Sequence, residues 1–393
     1  MSYLIISVIA KGFAFGVVLF MPKFLSAEQF GNAAIYITSI SFISIFLSFG
    51  TQSVVPKYYH QENIESFRQS LGAIFSIIFL VYFSGVVLVL LVVTFWLEEL
   101  INPLLVLTSS FCLALINVCL SYYRTVENIR KYAIIELSLS SFLFFVPLIL
   151  MLNFEGRVEY WLFSSYLSYV VVAVFSLVLI FNEVRPAFTI KRTTYQKIFK
   201  LCAPLIPHSL SLVIISSSDR FIVKGILGAE VLAYYIIANN FAMITKIVSD
   251  AFMKAWSPFY FKNKMDDNVI SKAKSQFFLT LLFFVFFYNV IVWFSFDFIF
   301  SEEYAQAKNL IFPLSLAYFI ASHYQVLVPV LIDRSLTNVL SKITPLCALT
   351  NLIINLLLLK EFGIWVAIIS TFISYIMLST LVSLKVKHEK CNS

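Results

Sequence analysis

Long apolar stretches recur along the whole chain and are separated by short polar clusters. A helix needs about 20 mostly apolar residues to cross the hydrocarbon core of a bilayer. Ten stretches of roughly that length contain no Asp, Glu, Lys or Arg, namely 29–56, 69–97, 100–123, 137–154, 160–182, 201–218, 275–296, 309–332, 343–359 and 362–384. Two more are interrupted by charge, namely 3–22 with Lys11 and 231–254 with Lys246 and Asp250. The pattern therefore predicts an all-α integral membrane protein with twelve transmembrane helices.

Composition agrees with lipid as the main solvent of this chain. Sixty per cent of the residues are hydrophobic and 12% are charged, whereas a soluble domain carries about 25% charged residues. The continuous apolar runs exclude a transmembrane β-barrel, whose strands are short and alternate in polarity. The N-terminal residues run straight into the first apolar stretch without a basic segment or a cleavage site, which predicts a transmembrane helix rather than a signal peptide.

Basic residues set the predicted orientation, because cytoplasmic loops carry an excess of Lys and Arg. With the N-terminus inside, 20 of the 28 basic residues lie in inner segments, five in outer loops and three within spans. Both termini are therefore predicted to be cytoplasmic. The net charge of +7 follows from this asymmetry, with anionic lipid head groups as its counterpart, and it requires no nucleic acid.

A weak internal repeat appears when the chain is shifted against itself by 202 residues. Residues 25–28 (LSAE) lie over 227–230 (LGAE), and residues 56–58 (PKY) lie over 258–260 (PFY). The two matches fall at opposite ends of the second predicted span of each half. They favour a parallel internal repeat over two apolar hairpins that share common residues. The predicted domains are an N-terminal six-helix bundle at 1–182, a cytoplasmic linker at 183–200, and a C-terminal six-helix bundle with a short cytoplasmic tail at 201–393.

Charges within the predicted spans are candidates for a substrate-binding cavity. On insertion scales a charge at the centre of a transmembrane helix costs about 2.5–3.5 kcal/mol. Lys11 lies midway along the first span and is expected to face a polar cavity, unless a neighbouring helix neutralises it. Asp219 and Arg220 follow three serines in the seventh span. Because adjacent helical residues point about 100° apart, at least one of the two is expected to face the interior, while Arg220 could instead snorkel to the outer interface.

Four further residues are candidates for ion coupling or for structural pairing. Lys246 and Asp250 are four residues apart in the eighth span, a spacing that favours an ion pair on one helix face. Glu136 is predicted in the first turn of the fifth span, where the helix dipole favours a carboxylate. His323 lies in the middle of a span and is the one histidine placed to relay a proton.

The chain shows no signature of an enzyme. Its five cysteines have no CxxC or metal-ligand spacing, and no predicted outer loop is long enough to form a domain. No Gly-rich phosphate loop or nucleophile motif occurs. We therefore predict a protein without catalytic activity, metal or cofactor.

Four stretches resemble Wzx-type polysaccharide flippases of the multidrug/oligosaccharidyl-lipid/polysaccharide exporter superfamily. The first is FMPKFLSAEQFG at 20–31, the turn after the first span. The second and strongest includes PLIPH at 204–208, SDRFI at 218–222, LG at 227–228, YY at 234–235 and WSPFY at 256–260. The third is YAQA at 304–307, and the fourth is NLIIN at 351–355 followed by FGIWVA at 362–367. The chain departs from the pattern at Trp365, where a small residue is usual, and at Ala233, where Gly is common.

The resemblance implies a MATE-like fold of two six-helix bundles in the cell inner membrane. It implies a flippase that moves polyprenyl-pyrophosphate-linked oligosaccharide to the outer leaflet for O-antigen or related surface polysaccharide, by alternating access coupled to a proton or sodium gradient. Its implied partners are this lipid-linked oligosaccharide, membrane lipids and polysaccharide-assembly proteins. In that setting Lys11 and Arg220 would bind the pyrophosphate or acidic sugars, and Asp219 would tune Arg220 or carry a proton.

Three other functions share parts of this pattern. A multidrug cation extruder is disfavoured by Lys11, because organic cations need carboxylates in the cleft. A membrane polysaccharide polymerase or acyltransferase would need a sizeable outer loop or a His/Asp/Arg cluster. A peptidoglycan-precursor flippase shares the architecture and is separated only by the match to the polysaccharide branch.

Overall fold

The computed structural model describes residues 2–96, 101–154, 157–188, 191–202, 205–263, 265–333 and 337–392, and all regular secondary structure in them is helical. The helices are α1 (Ser2–Phe20), α2 (Ala27–Ser48), α3 (Val55–Gln61), α4 (Ile64–Trp96), α5 (Ile101–Thr125), α6 (Ile129–Asn153), α7 (Val158–Val184), α8 (Arg192–Cys202), α9 (Leu205–Leu227), α10 (Ala229–Asn263), α11 (Asp267–Ile299), α12 (Ala305–Asp333), α13 (Thr337–Phe362) and α14 (Trp365–Asn392). Three short 3₁₀ helices lie at Met21–Lys23, Thr51–Ser53 and Glu302–Tyr304.

Eleven helices in the described ranges are long and apolar enough to cross a membrane. The predicted seventh span coincides with α9, whose 23 residues would suffice in length but include Asp219, Arg220 and Lys224. Large apolar side chains are exposed along α4 and α11, such as Leu80 at 71% and Phe298 at 91%. This exposure suits a lipid surround and confirms a multi-pass membrane protein.

The chain divides into two compact units. Unit 1 contains Met1–Phe24 and Ala33–Leu210, and unit 2 contains Leu25–Asn32 and Ser211–Ser393. In unit 1, α5 packs against α4 and α7, α6 packs against α1 and α7, and α8 packs against α4. The unit 1 core is built from aliphatic and aromatic side chains that are almost fully buried, including Leu71, Phe75, Leu115 and Val172.

In unit 2 the main helix pairs are α10 with α12, α12 with α14, and α13 with α14. Small residues such as Ala238, Ala242, Ala317 and Ala321 are buried along α10 and α12. Small side chains let membrane helices approach closely, and the close contact supplies the van der Waals energy that the hydrophobic effect does not provide in lipid.

Segment Leu25–Asn32 joins unit 2 through several specific contacts. The hydroxyl of Tyr304 donates a hydrogen bond to the carbonyl oxygen of Leu25 at 3.0 Å. The backbone N–H of Ala27 donates to Oε1 of Glu303 at 2.6 Å. Gly31 lies against the backbone of Ala229, so that a Cβ at this position would clash with the carbonyl oxygen of Ala229. Parts of three of the four family-like stretches therefore meet at this place, and these contacts account for Gly31 and Tyr304.

The helix boundaries repeat at nearly the offset found in the sequence. Helix α2 begins at Ala27 and α10 at Ala229, while α4 begins at Ile64 and α11 at Asp267. One difference is a break in unit 1, where the backbone of Phe49 and Gly50 has φ of 50° and 68°. These left-handed residues end α2, whereas α10 continues as one helix of 35 residues.

Candidate functional site

The candidate site is a set of polar side chains within the membrane helices, and Asp219 on α9 is its most buried charge. Only 4% of Asp219 is exposed. Its Oδ2 accepts a hydrogen bond from the hydroxyl of Tyr235 on α10. Its Oδ1 accepts from the backbone N–H of Arg220 at 2.8 Å. A carboxylate inside a membrane needs such donors, because an unpaired charge would be very costly there.

A second buried hydrogen bond lies next to this carboxylate. The hydroxyl of Tyr318 on α12 donates to Oδ1 of Asn239 on α10 at 2.7 Å. The guanidinium of Arg220 is close enough to Asp219, Tyr235 and Tyr318 to interact with them electrostatically. We name these five residues, Asp219, Arg220, Tyr235, Asn239 and Tyr318, the Asp219 cluster. Sequence reasoning identified its two charged members.

Asp250 accepts a hydrogen bond from a neutral side chain, whereas its spacing from Lys246 favoured an ion pair. Its Oδ1 accepts from Nε2 of Gln325 on α12 at 3.0 Å, and Oε1 of Gln325 accepts from Ser249 at 2.8 Å. Among the described side chains, no ion pair joins Asp250 to Lys246. The two residues share a helix face, as predicted, but the spacing does not bring their charges into contact.

His323 on α12 is held by two neighbours. Its Nδ1 lies 2.5 Å from Oγ of Ser379 on α14, and its ring stacks on Phe278 with centroids 5.5 Å apart. The Nζ of Lys274 lies 6.0 Å from the centre of the same Phe278 ring. His323 is half-buried, and its role as a proton relay stays a prediction.

Lys11 and Glu136 come close together in unit 1. Helices α1 and α6 pack against each other, and the charge of Glu136 interacts with those of Lys11 and Arg124. Lys11 is exposed and Glu136 is half-buried. The Asp219 cluster belongs to unit 2, so the two predicted cationic sites lie in different units.

The prediction that Glu136 lies in the first turn of its helix was wrong. Helix α6 begins at Ile129, because the side chain of Asn128 caps it by accepting from the N–H of Lys131 at 3.1 Å. Glu136 therefore lies about two turns inside the helix, beyond the reach of the N-terminal dipole. Its interactions with Lys11 and Arg124 are the better explanation for a carboxylate at this position.

The fourth family-like stretch forms a polar triad between α13 and α14. Nδ2 of Asn355 donates to Oδ1 of Asn351 at 3.2 Å. Oγ of Ser370 donates to Oδ1 of Asn355 at 3.1 Å, and Nδ2 of Asn351 donates to Oγ of Ser370 at 3.3 Å. All three are fully buried, so the two asparagines of this stretch serve helix packing.

The neutral members of these networks were missed by sequence reasoning, which searched for charges. Tyr235, Asn239, Tyr318 and Gln325 are polar residues in predicted spans, and that was the available signal. Across the described part of the chain, no group of three or more His, Cys, Asp or Glu residues is arranged to hold a metal ion.

Comparison with known proteins identifies the family and the fold. The family described as "Polysaccharide biosynthesis protein" matches residues 1–264. No curated protein gives a significant sequence match. The family match covers more than half of the chain and confirms the resemblance to polysaccharide flippases that the sequence motifs indicated.

Solved structures of low sequence identity share the fold. The lipid II flippase MurJ in an inward closed conformation has a TM-score of 0.76 at 14% identity, and the match covers 98% of this chain and 87% of MurJ. An inward-facing multidrug resistance MATE family transporter of the MOP superfamily has a TM-score of 0.71 at 14% identity, with 98% and 96% covered. A MATE transporter of Vibrio cholerae has a TM-score of 0.58 at 14% identity, with 100% and 94% covered. The chain therefore belongs to the polysaccharide biosynthesis protein family and is a multi-pass membrane protein with a MATE-like fold.

Proposed function

We propose that this protein is a flippase of the inner membrane. It moves polyprenyl-pyrophosphate-linked oligosaccharide repeat units from the cytoplasmic to the outer leaflet for O-antigen or a related surface polysaccharide. One observation carries the proposal: a chain of the polysaccharide biosynthesis family consists almost wholly of membrane helices arranged in a fold that a lipid II flippase also has.

The substrate's head group explains the intramembrane cations. A pyrophosphate is strongly anionic and must leave water to cross the bilayer, so it needs fixed positive charge along its path. Lys11 is exposed on α1 beside the carboxylate of Glu136. In the empty state Glu136 offsets part of the charge of Lys11, and the pyrophosphate takes over this role when it binds. Arg220 supplies the second cation, with Asp219 beside it.

Alternating access needs an energy source, and the Asp219 cluster is the first candidate to provide it. Asp219 is buried and has a hydroxyl donor, so a change between its charged and neutral forms would alter the packing of α9 against α10. Such a two-state element is what couples an ion gradient to a conformational change. Asp250, Lys246, Glu136 and His323 are further candidates for the coupling ion's path.

The direct test is a clean deletion, followed by extraction of lipid-linked oligosaccharides and a leaflet assay. Complete repeat units stranded on the cytoplasmic leaflet, together with loss of surface polymer, are expected. Normal surface polymer, or incomplete intermediates, would contradict the flippase. Ethidium efflux by the expressed protein would instead favour drug export.

Complementation of the deletion tests the two cations. Lys11→Ala and Arg220→Ala at normal protein level are each expected to lower surface polymer at least about tenfold, since one charge-assisted hydrogen bond is worth about 1.5–3 kcal/mol. Lys11→Arg should restore most of the loss. Lys23→Ala is the matched control, because Lys23 is exposed just after α1. If both cation variants make normal polymer, the site assignment is wrong.

A further inference from the structure

A large groove lies beside α8 in unit 1, outside the candidate site. Its volume is about 1030 Å³, at the upper end of the roughly 300–1,000 Å³ that small-molecule sites occupy. One wall is apolar and is formed by Phe49 together with Ile77, Leu80 and Val81 of α4. The opposite rim is the face of α8 that carries Arg192 and Lys200. The groove therefore combines a hydrophobic wall with two cations.

Helix α8 packs against the rest of unit 1 through buried side chains and close backbone contacts. Ile198 and Cys202 on its inner face are fully buried in the unit 1 core. The chain just before it crosses the start of α4, where the N–H of Ala187 donates to the carbonyl oxygen of Arg68 at 3.0 Å. Gly72 lies so close to the backbone of Ala187 that a Cβ would clash with it.

The charge of α8 is one-sided. Residues 191–202 contain four basic and no acidic residues, and Lys191, Arg192, Lys197 and Lys200 are all exposed. In the described part of the chain no ion pair neutralises Arg192 or Lys200. A basic amphipathic helix at a membrane surface is attracted to anionic lipid.

The apolar wall is open to its surroundings. Leu80 is 71% exposed and Phe199 is 57% exposed, and the ring of Phe199 stacks on that of Phe49 with centroids 5.2 Å apart. Val81 lies 13 residues beyond Arg68 on α4, which is about 20 Å along a helix. The apolar wall on α4, from Ile77 to Val81, therefore lies about 13–20 Å beyond Arg68 along the helix.

We propose that this groove binds an anionic phospholipid of the cytoplasmic leaflet. Arg192 and Lys200 bind the phosphate of its head group, and an acyl chain lies along Ile77, Leu80 and Val81. Lys191, Arg192, Lys197 and Lys200 all belong to the predicted cytoplasmic side, where such lipids meet basic segments. A soluble phosphate would leave the apolar wall uncovered. Because the groove is open, lipids can exchange into it from the surroundings, and the most abundant anionic lipid there would occupy it.

A smaller pocket in unit 2 supplies a contrast. It is about 420 Å³ and is lined by residues of α10 and α11 that include Phe252, Trp256 and Phe277, and none of its described lining residues is charged. The groove beside α8 differs from this pocket in carrying the cations that anionic lipid recognition needs.

The test is lipid binding to the purified full-length protein, measured by native mass spectrometry with phosphatidylglycerol and with phosphatidylcholine. The wild type is expected to prefer phosphatidylglycerol. Removing both cations, with Arg192→Gln and Lys200→Gln, should weaken phosphatidylglycerol binding about thirtyfold, roughly fivefold for each basic residue. The control pair Lys57→Gln and Lys262→Gln removes the same charge from exposed positions outside the groove and outside α8, and it should change binding less than about threefold.

A second variant tests the apolar wall without changing charge. Ser76→Trp places a large ring in the groove and should lower phosphatidylglycerol binding at least about tenfold. The proposal would be overturned if the groove pair and the control pair lost phosphatidylglycerol binding equally, or if the wild type did not prefer phosphatidylglycerol. Stronger competition by a polyprenyl phosphate would also overturn it, because the occupant would then be the carrier lipid. None of these residues belongs to the candidate site, so the result stands apart from the proposed transport activity.

Discussion

The buried carboxylate of Asp219 is matched by polar neighbours on its own helix and on α10. The hydroxyl of Tyr235 and the N–H of Arg220 both donate to its carboxylate. Neither contact was visible in the hydropathy pattern, which treats Tyr as another apolar or interfacial residue. The charges were predictable because they are rare in membrane helices. Their neutral partners were not, because pairs such as Asn239 and Tyr318 are 79 residues apart.

Asp219 and Tyr235 can be separated by mutation. Asp219→Asn keeps an acceptor for the hydroxyl of Tyr235 but removes the charge, so we expect a folded protein whose transport falls at least about tenfold. Tyr235→Phe removes one hydrogen bond to a buried carboxylate and should lower stability by about 1–3 kcal/mol. Surface polymer in the complemented deletion and thermal unfolding in detergent measure the two effects. Normal transport by Asp219→Asn would exclude this carboxylate from ion coupling.

Helix boundaries depended on the rule used to find them. A search for charge-free runs began the fifth span at residue 137, whereas α6 begins at Ile129, because Arg130, Lys131 and Glu136 lie within the helix. The segment before residue 201 was predicted only as a linker, yet 192–202 is the amphipathic helix α8. Apolar length predicts where a chain crosses lipid, but caps and amphipathic faces decide where its helices start.

Contact between helices explains one glycine of the family-like stretches. In Gly31→Ala the new methyl group would meet the carbonyl oxygen of Ala229, so α2 and α10 must separate. We expect a loss of stability of about 1–3 kcal/mol, seen as a lower unfolding temperature in detergent. Gly225→Ala is the control, because nothing lies within 4 Å of its added Cβ. An unfolding temperature for Gly31→Ala equal to that of the control would show that this approach is not tight.

The two halves of the chain repeat the same order of helices, and this was the feature of the complete molecule that the sequence predicted best. Two short sequence matches gave an offset of 202 residues between the halves. The same offset separates the first residues of α2 and α10. What the repeat could not predict is how the halves differ. Unit 1 has a helix break at Phe49 and Gly50 and carries α8, whereas unit 2 has the Asp219 cluster.

Transport by the complete protein should depend on one ion gradient. In proteoliposomes that contain the lipid-linked oligosaccharide, a protonophore is expected to abolish flipping if Asp219 carries a proton. A sodium ionophore would abolish it if the carried ion is sodium. Loss of flipping with one of the two agents identifies the coupling ion. Full flipping activity after both the proton and the sodium gradients are dissipated would contradict gradient coupling.

The triad of Asn351, Asn355 and Ser370 has a mechanical consequence. Sliding α13 along α14 by one turn would break the two hydrogen bonds that Ser370 makes with Asn351 and Asn355 and leave their groups without partners in an apolar environment, which is costly. The triad therefore fixes the register of this hairpin, much as a single polar residue fixes the register of a coiled coil. Whatever rearrangement accompanies substrate passage, α13 and α14 should travel as one rigid piece.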